Sequence, residues 1–428
     1  MRKSTRFLAA LLLCSQVLAC QAQGQPTPIS SPGGLSTLAA PSDSELSSLR
    51  QGQLPEAQTR FAFKVFQDLF TQAPQANHFM SPLSLSIALS MLYNGASGET
   101  QQEMAQAMQL QGMNLAELNQ GNLVLRKRLA NPGAGVEILI ANALWGQQGI
   151  TFQPDFLRDN LSFYNAQLTA LDFAQPAAVK TINQWASDNT KGKIPKVVEQ
   201  IDPLTILILM NAIYFKGDWS EPFKESETRV RDFHKADGSQ QQHPMMSRHD
   251  KLRYLRNVEG KFQAVALPYG KSEQSEMLLI LPDQGASLGE LVSRLNEPEF
   301  KGWLGQMRAR DGHLVLPRFK LKTEMPLNAT LKRLGMNRAF SEADAELNRL
   351  VATSALKPFV SSVKQDAFVE VNEKGTEAAA VTTITVGATS VQIPQEPFEM
   401  ILDRPFLYAI YDKSTESILF MGVLNEPM

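Results

Sequence analysis

The chain has almost no cysteine. Only Cys14 and Cys20 occur among 428 residues, both inside the first twenty. A disulfide framework is therefore excluded, and the rest of the chain must hold itself together through its core. A cysteine nucleophile is excluded with it. Charge of one sign is missing too: 41 Lys and Arg stand against 43 Asp and Glu, a formal net charge of −2. That balance gives no reason to expect a nucleic acid as an obligatory partner. No GxSxG elbow, Walker loop, HExxH or CxxC motif appears, so nothing points to an enzyme, a cofactor or a metal. The five histidines, His78, His234, His243, His249 and His313, have no ligand spacing and read as surface or core residues. No 20–50-residue period marks a repeat protein. The Arg126–Arg128 run reads as a solvated helix face, with contact to a polyanion as the sharper alternative.

What is present begins with a leader. Arg2, Lys3 and Arg6 precede the apolar run Phe7 to Leu13, and small residues follow. This is the pattern of a secretory signal peptide, too short to span a membrane. Residues 1–19 are assigned to it. The stretch VLAC, ending at Cys20, resembles the lipobox of bacterial lipoproteins, in which the cysteine becomes lipidated. The expected location is then outside the cell or on its envelope, with a lipid anchor as the only membrane contact. Ordinary cleavage after Ala22 with release is the alternative. Residues 20–55 are rich in Pro, Gly, Ser and Gln and show no periodicity, which predicts a disordered tether.

Residues 56–428 carry helix-period stretches early, such as TRFAFKVFQDLFTQ, and strand-like runs later, such as ILILMNAIYFKG and SILFMGVL. Ser81-Pro82 reads as a helix cap and first turn. This order predicts a mixed α+β domain with large antiparallel sheets.

One segment fits no ordinary class. EKGTEAAAVTTITVGATS, residues 373–390, is too poor in bulk for a core strand and too rich in β-formers for a linker. Taken alternately, Thr376, Ala378, Ala380, Thr382, Ile384 and Val386 form an uncharged set, while Glu377 falls in the other. In a strand the two sets face opposite sides of the sheet, so the segment is patterned to bury one face. Gly375 supplies backbone freedom where the chain would turn in. A plain edge strand or an exposed loop is the bland alternative.

At VEVNEKGTEAAA the residues closely resemble the hinge of the serpins. Further blocks match in order: NHFMSPLSLSIALSMLYNGASGET (77–100), INQWASDNTKGKIPKVV (182–198), LILMNAIYFKGDWSEPF (207–223), LPRFKLK (316–322), LKRLGMNRAF (331–340), DRPFLYAI (403–410) and LFMG (419–422). The resemblance covers essentially all of 56–428. It implies a serpin fold with three β-sheets, about nine helices and an exposed reactive-centre loop. It also implies a monomeric suicide inhibitor of a serine protease, whose cleaved loop enters the central sheet as a new strand. Strand insertion of this kind is a known use of stored strain.

Carried over residue by residue, the resemblance places the hinge at Glu373, Gly375, Thr376, Ala378, Ala379 and Ala380. Small residues there are the inhibitory pattern; a non-inhibitory serpin acting as a binding or carrier protein is the alternative. The scissile bond falls between Thr389 and Ser390, to within one or two residues. Thr389 is small and uncharged, which suits an elastase-like or subtilisin-like protease. Ser81, Ser84 and Asn211 match a polar cluster that gates sheet opening, and Trp219 lies near it. Gln365 stands where that cluster usually has a histidine, which puts any pH response in doubt.

Overall fold

The computed structural model describes residues 38–353, 357–376 and 396–428. Residues 35–428 form a unit of their own. Ten α-helices occur among the described residues: α1 (Asp43–Gln51), α2 (Leu54–Gln72), α3 (Pro82–Tyr93), α4 (Gly98–Ala107), α5 (Leu115–Leu129), α6 (Pro154–Tyr164), α7 (Pro176–Asn189), α8 (Leu288–Ser293), α9 (Glu297–Gln306) and α10 (Asn328–Arg333). Fifteen strands accompany them. They are β1 (His78–Met80), β2 (Val136–Gln147), β3 (Gln167–Leu171), β4 (Leu207–Asp218), β5 (Arg229–His234), β6 (Gln240–Asn257), β7 (Phe262–Tyr269), β8 (Ser275–Pro282), β9 (Arg308–Pro317), β10 (Phe319–Pro326), β11 (Lys364–Asn372), β12 (Gly375–Thr376), β13 (Phe398–Ile401), β14 (Phe406–Asp412) and β15 (Ser417–Leu424).

The strands form two hydrogen-bonded networks rather than the three sheets expected. The reason is β6. Its first residues pair with β5, its middle with β9, and its end with β7, so one 18-residue strand fuses two sheets. The larger network runs β1-β15-β14-β8-β7-β6-β9-β13, with β5 on β6. Strands β8, β14 and β15 are buried along their whole length, and their sequences are accordingly apolar apart from Ser275, Glu276, Asp412 and Ser417 at their ends.

The smaller network has the order β10-β11-β12-β4-β2-β3. Helix α3 packs beneath it. Nearly all of α3 is buried, so it has no polar face to offer water. Pro82 sits in its first turn, and the Ser81 side chain accepts a hydrogen bond from Ser84 N–H, as the Ser-Pro pair predicts.

Two expectations fail here. Residues 20–55 are not a disordered tether throughout, because 43–51 is a helix. Ser42 and Glu45 close a reciprocal capping box, and Leu49 is buried as the helix packs against α2 and α5. Lys127 adds an ion pair to Glu45 at 2.6 Å. Nor is 126–128 a solvated basic face. Arg128 is buried against Asp412 at 2.9 Å, and Arg126 is buried as well. Burial pushes the Arg126 guanidinium down to about 10.

Candidate functional site: a slot between two strands

Strand β12 contains only Gly375 and Thr376, yet it lies between two longer strands. It pairs antiparallel with β11 through Val371↔Thr376 and Asn372↔Gly375. It pairs antiparallel with β4 through Gly375↔Asp218 and Thr376↔Gly217. Strands β4 and β11 therefore run parallel to each other. Among the described residues, no ladder joins them directly below β12. A cavity of about 630 Å³ lies there, lined in part by Ser84, Trp185, Asn211, Gln365 and Asp366.

The end of the slot at β12 is closed by a charged and aromatic cluster. Glu373, 4% exposed, accepts from Thr228 Oγ1 at 2.6 Å and from Arg318 Nε at 2.7 Å, with Arg318 Nη2 as a further donor. Burial pushes its carboxyl up, but the bonds from Arg318 and Thr228 outweigh that and hold it below the ordinary value. Trp219 binds the turn twice: its backbone N–H donates to Lys374 O and its Nε1 to Asn372 O, each at 2.9 Å. Its indole stacks on Tyr269, with ring centroids 4.5 Å apart. The Tyr269 hydroxyl meets Thr376 Oγ1 at 2.6 Å.

Glycine is required at Gly375 for two reasons. Its φ is +156°, and a Cβ built there would stand 2.1 Å from Gly217 O. That contact is with backbone, which cannot swing aside. The small hinge residue is thus dictated by the close approach of the β4 backbone at Gly217 and Asp218.

Farther along β11 the chemistry changes to neutral amides and hydroxyls. Gln365 makes a reciprocal pair with the backbone of Ser81: Ser81 N–H donates to Oε1, and Nε2 donates to Ser81 O, both at 2.8 Å. Ser81 Oγ donates to Leu419 O at 2.7 Å. Ser84 Oγ donates to Asn211 Oδ1. Asn211 Nδ2 donates to Asn142 Oδ1 at 2.6 Å, and Asn142 Nδ2 to Tyr164 O at 2.7 Å. The relay links α3 to β4, β2 and α6. Asp366 sits next in line, where burial pushes its carboxyl up against the opposing pull of Lys364.

The structure thus separates the expected residues into two clusters. Glu373, Gly375, Thr376 and Trp219 meet at one end; Ser81, Ser84, Asn211 and Gln365 meet at the other. Cys20, Ala378, Ala379, Ala380, Thr389 and Ser390 lie outside the described residues. Sequence reasoning missed Arg318, Thr228, Tyr269 and Asn142. Arg318 is 55 positions from Glu373, and only the β10–β11 pairing brings them together.

A protein-family model described as "Serpin (serine protease inhibitor)" matches residues 56–427. The chain belongs to the serpin family. Human Serpin B8 is 36% identical, covering 87% of this chain and 99% of that protein. Leukocyte elastase inhibitor from Bos taurus is 34% identical, covering 88% of this chain and all of that protein. Among solved structures, the thermophilic serpin tengpin in its native state superposes with a TM-score of 0.78 at 28% identity, over 87% of this chain and 94% of that one. Thyroxine-binding globulin in complex with thyroxine also gives 0.78, at 29% identity, over 88% and 100%.

Proposed function

We propose that this serpin is a single-use inhibitor of serine proteases of elastase-like or subtilisin-like specificity, acting as a monomer. The carrying observation is β12, a strand two residues long seated between β4 and β11 at the mouth of an unjoined slot. Elongation of β12 in its existing register would set 378, 380 and 382 opposite Val369, Ala367 and Gln365. Those are buried positions of β11, and the matching residues of the loop are small or uncharged. From Gly375 to Thr389 the chain can span about 46 Å of strand. Roughly a dozen new backbone hydrogen bonds at about 1 kcal/mol each would rival the stability of a domain. The uncut chain is then held by a kinetic barrier. An acyl-enzyme dragged along with the loop loses the order that its oxyanion hole and triad need, and deacylation stops. The names of the leukocyte elastase inhibitors support this target class.

The test mixes the chain with elastase-like, subtilisin-like and trypsin-like proteases and reads denaturing gels. A denaturant-resistant complex, with a released peptide beginning at Ser390, is the expected result. Clean cleavage without a complex for every protease would sink the proposal. It would favour the binding or carrier reading, and one structural neighbour, thyroxine-binding globulin, is seen in complex with thyroxine. Heating separates the two readings, because only a chain that inserts its cut loop becomes far more heat-stable.

Export and lipidation at Cys20 belong to the same proposal. The basic, apolar and VLAC order of residues 1–20 supports them. A lipid-bearing N-terminal peptide beginning at Cys20 would be seen by mass spectrometry; a free N-terminus at Gln23 would rule out the anchor.

A further inference from the structure

Helix α1 (Asp43–Gln51) precedes residue 56, where the residues matched by the family model begin. The fold nevertheless gives it a seat. Gly121 on α5 has no side chain at the place where α1 and α2 press in: a Cβ there would stand 2.5 Å from Leu54 Cδ2 and 3.6 Å from Leu49 Cδ1. Leu49 is buried at this notch. Polar bonds close its rim. Lys127 Nζ on α5 meets Glu45 Oε1 at 2.6 Å, Asn131 Nδ2 donates to Leu38 O at 3.1 Å, and Arg50 Nη1 donates to Ser414 O at 2.9 Å.

The far side of α5 reaches the slot. In a helix, positions 119 and 122 face away from 121 and 127. Asn119 Nδ2 donates to Asn94 Oδ1 at 2.8 Å, and Asn119 Oδ1 accepts from the Tyr164 hydroxyl at 2.7 Å. Asn122 Nδ2 donates to the same hydroxyl at 3.3 Å. Tyr164 O accepts from Asn142 Nδ2, whose Oδ1 accepts from Asn211 at the slot. Tyr164 thus holds α5 with its side chain and β2 with its backbone. Asn119, Asn122, Asn142 and Tyr164 are all buried, which shields these bonds from water and strengthens them. Parting β4 from β11 moves Asn211, and that displacement is passed through Asn142 and Tyr164 to α5.

We propose that α1 is a latch on the slot. Seated on α5, it holds the chain Asn119–Tyr164–Asn142–Asn211 in the closed arrangement, and its release lets β4 and β11 part more readily. This rests on the reading that the slot opens to admit a strand, and it names what controls that opening. The bonds of α1 are made to α5 in the closed arrangement, so α1 favours that arrangement by the difference in their strength between the two states. The coupling is reciprocal: a strand entering the slot loosens α1 in turn.

The test is amide hydrogen–deuterium exchange of the full chain, read by mass spectrometry on peptides from α1, β4 and β8. Leu49→Asp puts a carboxylate into the apolar notch and is expected to free α1, seen as fast exchange of its amides. Exchange across Met210–Ala212 of β4 should then rise at least about fivefold. Exchange of β8 should stay unchanged, the sign that the fold is intact. Leu49→Ala, a gentler change, should act in the same direction to a smaller extent. Tyr164→Phe cuts the chain at its hydroxyl, and in that background Leu49→Asp should change β4 exchange by less than about twofold. A freed α1 with unchanged β4 exchange overturns the latch. So does equal acceleration of β4 and β8, or an effect of Leu49→Asp that survives in full beside Tyr164→Phe. No protease enters the measurement, so failure to form a covalent complex would count against the inhibitor reading and not against the latch.

Discussion

The two ends of the slot are closed by different chemistry. At the β12 end, Glu373 is held by Arg318 and Thr228, and a Trp219–Tyr269 stack covers the turn. At the Gln365 end every bond in the relay is made by a neutral amide, hydroxyl or backbone group. The first cluster answers to pH and salt; the relay itself does not, and the nearest titratable group to it is Asp366. The contrast assigns separate duties. The charged end fixes where the strand starts, and the neutral end sets how hard the sheet is to part.

Gly375→Ala should break the first duty most completely. The added methyl meets Gly217 O at 2.1 Å, so β12 cannot keep its place between β4 and β11. A protease should still cut the loop, but covalent complex should fall more than tenfold on gels. Undiminished complex would show that the strand starts elsewhere. Glu373→Ala should come next. It removes charge-assisted hydrogen bonds worth about 2 kcal/mol, somewhat reduced because Arg318 is half exposed. The uncut chain should melt several degrees lower. Because its pKa is depressed in the folded chain, Glu373 contributes stability above its ordinary value of 4.5. That contribution fades as pH falls through the lowered value. An acid melt of Glu373→Gln should lack this component, and an unchanged profile would contradict the assignment.

Much of this was legible in the residues, for physical reasons that differ by position. Gly375 announced itself because only a special backbone place tolerates a glycine followed by small side chains. Ser81-Pro82 announced a helix start because both residues act locally. The helix at Asp43–Gln51 was hidden, since its capping box is short and only Leu49 is buried. Arg318, Tyr269 and Asn142 were hidden because their partners are set by strand register. The same holds for His249 and His313, whose separation of 64 positions carries no spacing signal although their rings stack. The fusion of two sheets by β6 was hidden as well, because a single long strand looks like two short ones in sequence.

Gln365→His sharpens the comparison by making the neutral end titratable. A neutral imidazole can accept from Ser81 N–H on one nitrogen, although its two nitrogens diverge too widely to bond Ser81 O as well, as the Gln365 amide does. Protonation removes the acceptor and orphans a buried N–H, a loss of about 1–3 kcal/mol. Burial will hold the new imidazole below its ordinary value of about 6.5. Stability will therefore be lost as pH falls from that value through the folded one. The variant should unfold faster toward acid by more than the native chain, in which burial lowers the pKa of His78 and of His243. A native chain with the same acid acceleration would show that a different group governs opening.

Asp366→Asn should have the smallest effect and the opposite sign. The folded chain raises the Asp366 pKa by burial, so it favours the protonated acid. A raised acid costs stability once pH climbs above the unfolded value near 3.8, and the cost is complete above the folded value. The neutral amide avoids that cost, so the variant should be slightly more stable than the native chain near neutrality and equal to it in acid. Because Asp366 lies beside Gln365 on the slot edge, its covered charge burdens the closed sheet, and Lys364 at 3.2 Å offsets only part of that. A carboxylate kept under cover there makes the uncut chain easier to open. Slower unfolding of Asp366→Asn at neutral pH, with less covalent complex per cleavage, would place that charge among the causes of ready insertion. Equal rates in both chains would confine the opening barrier to the amide relay alone.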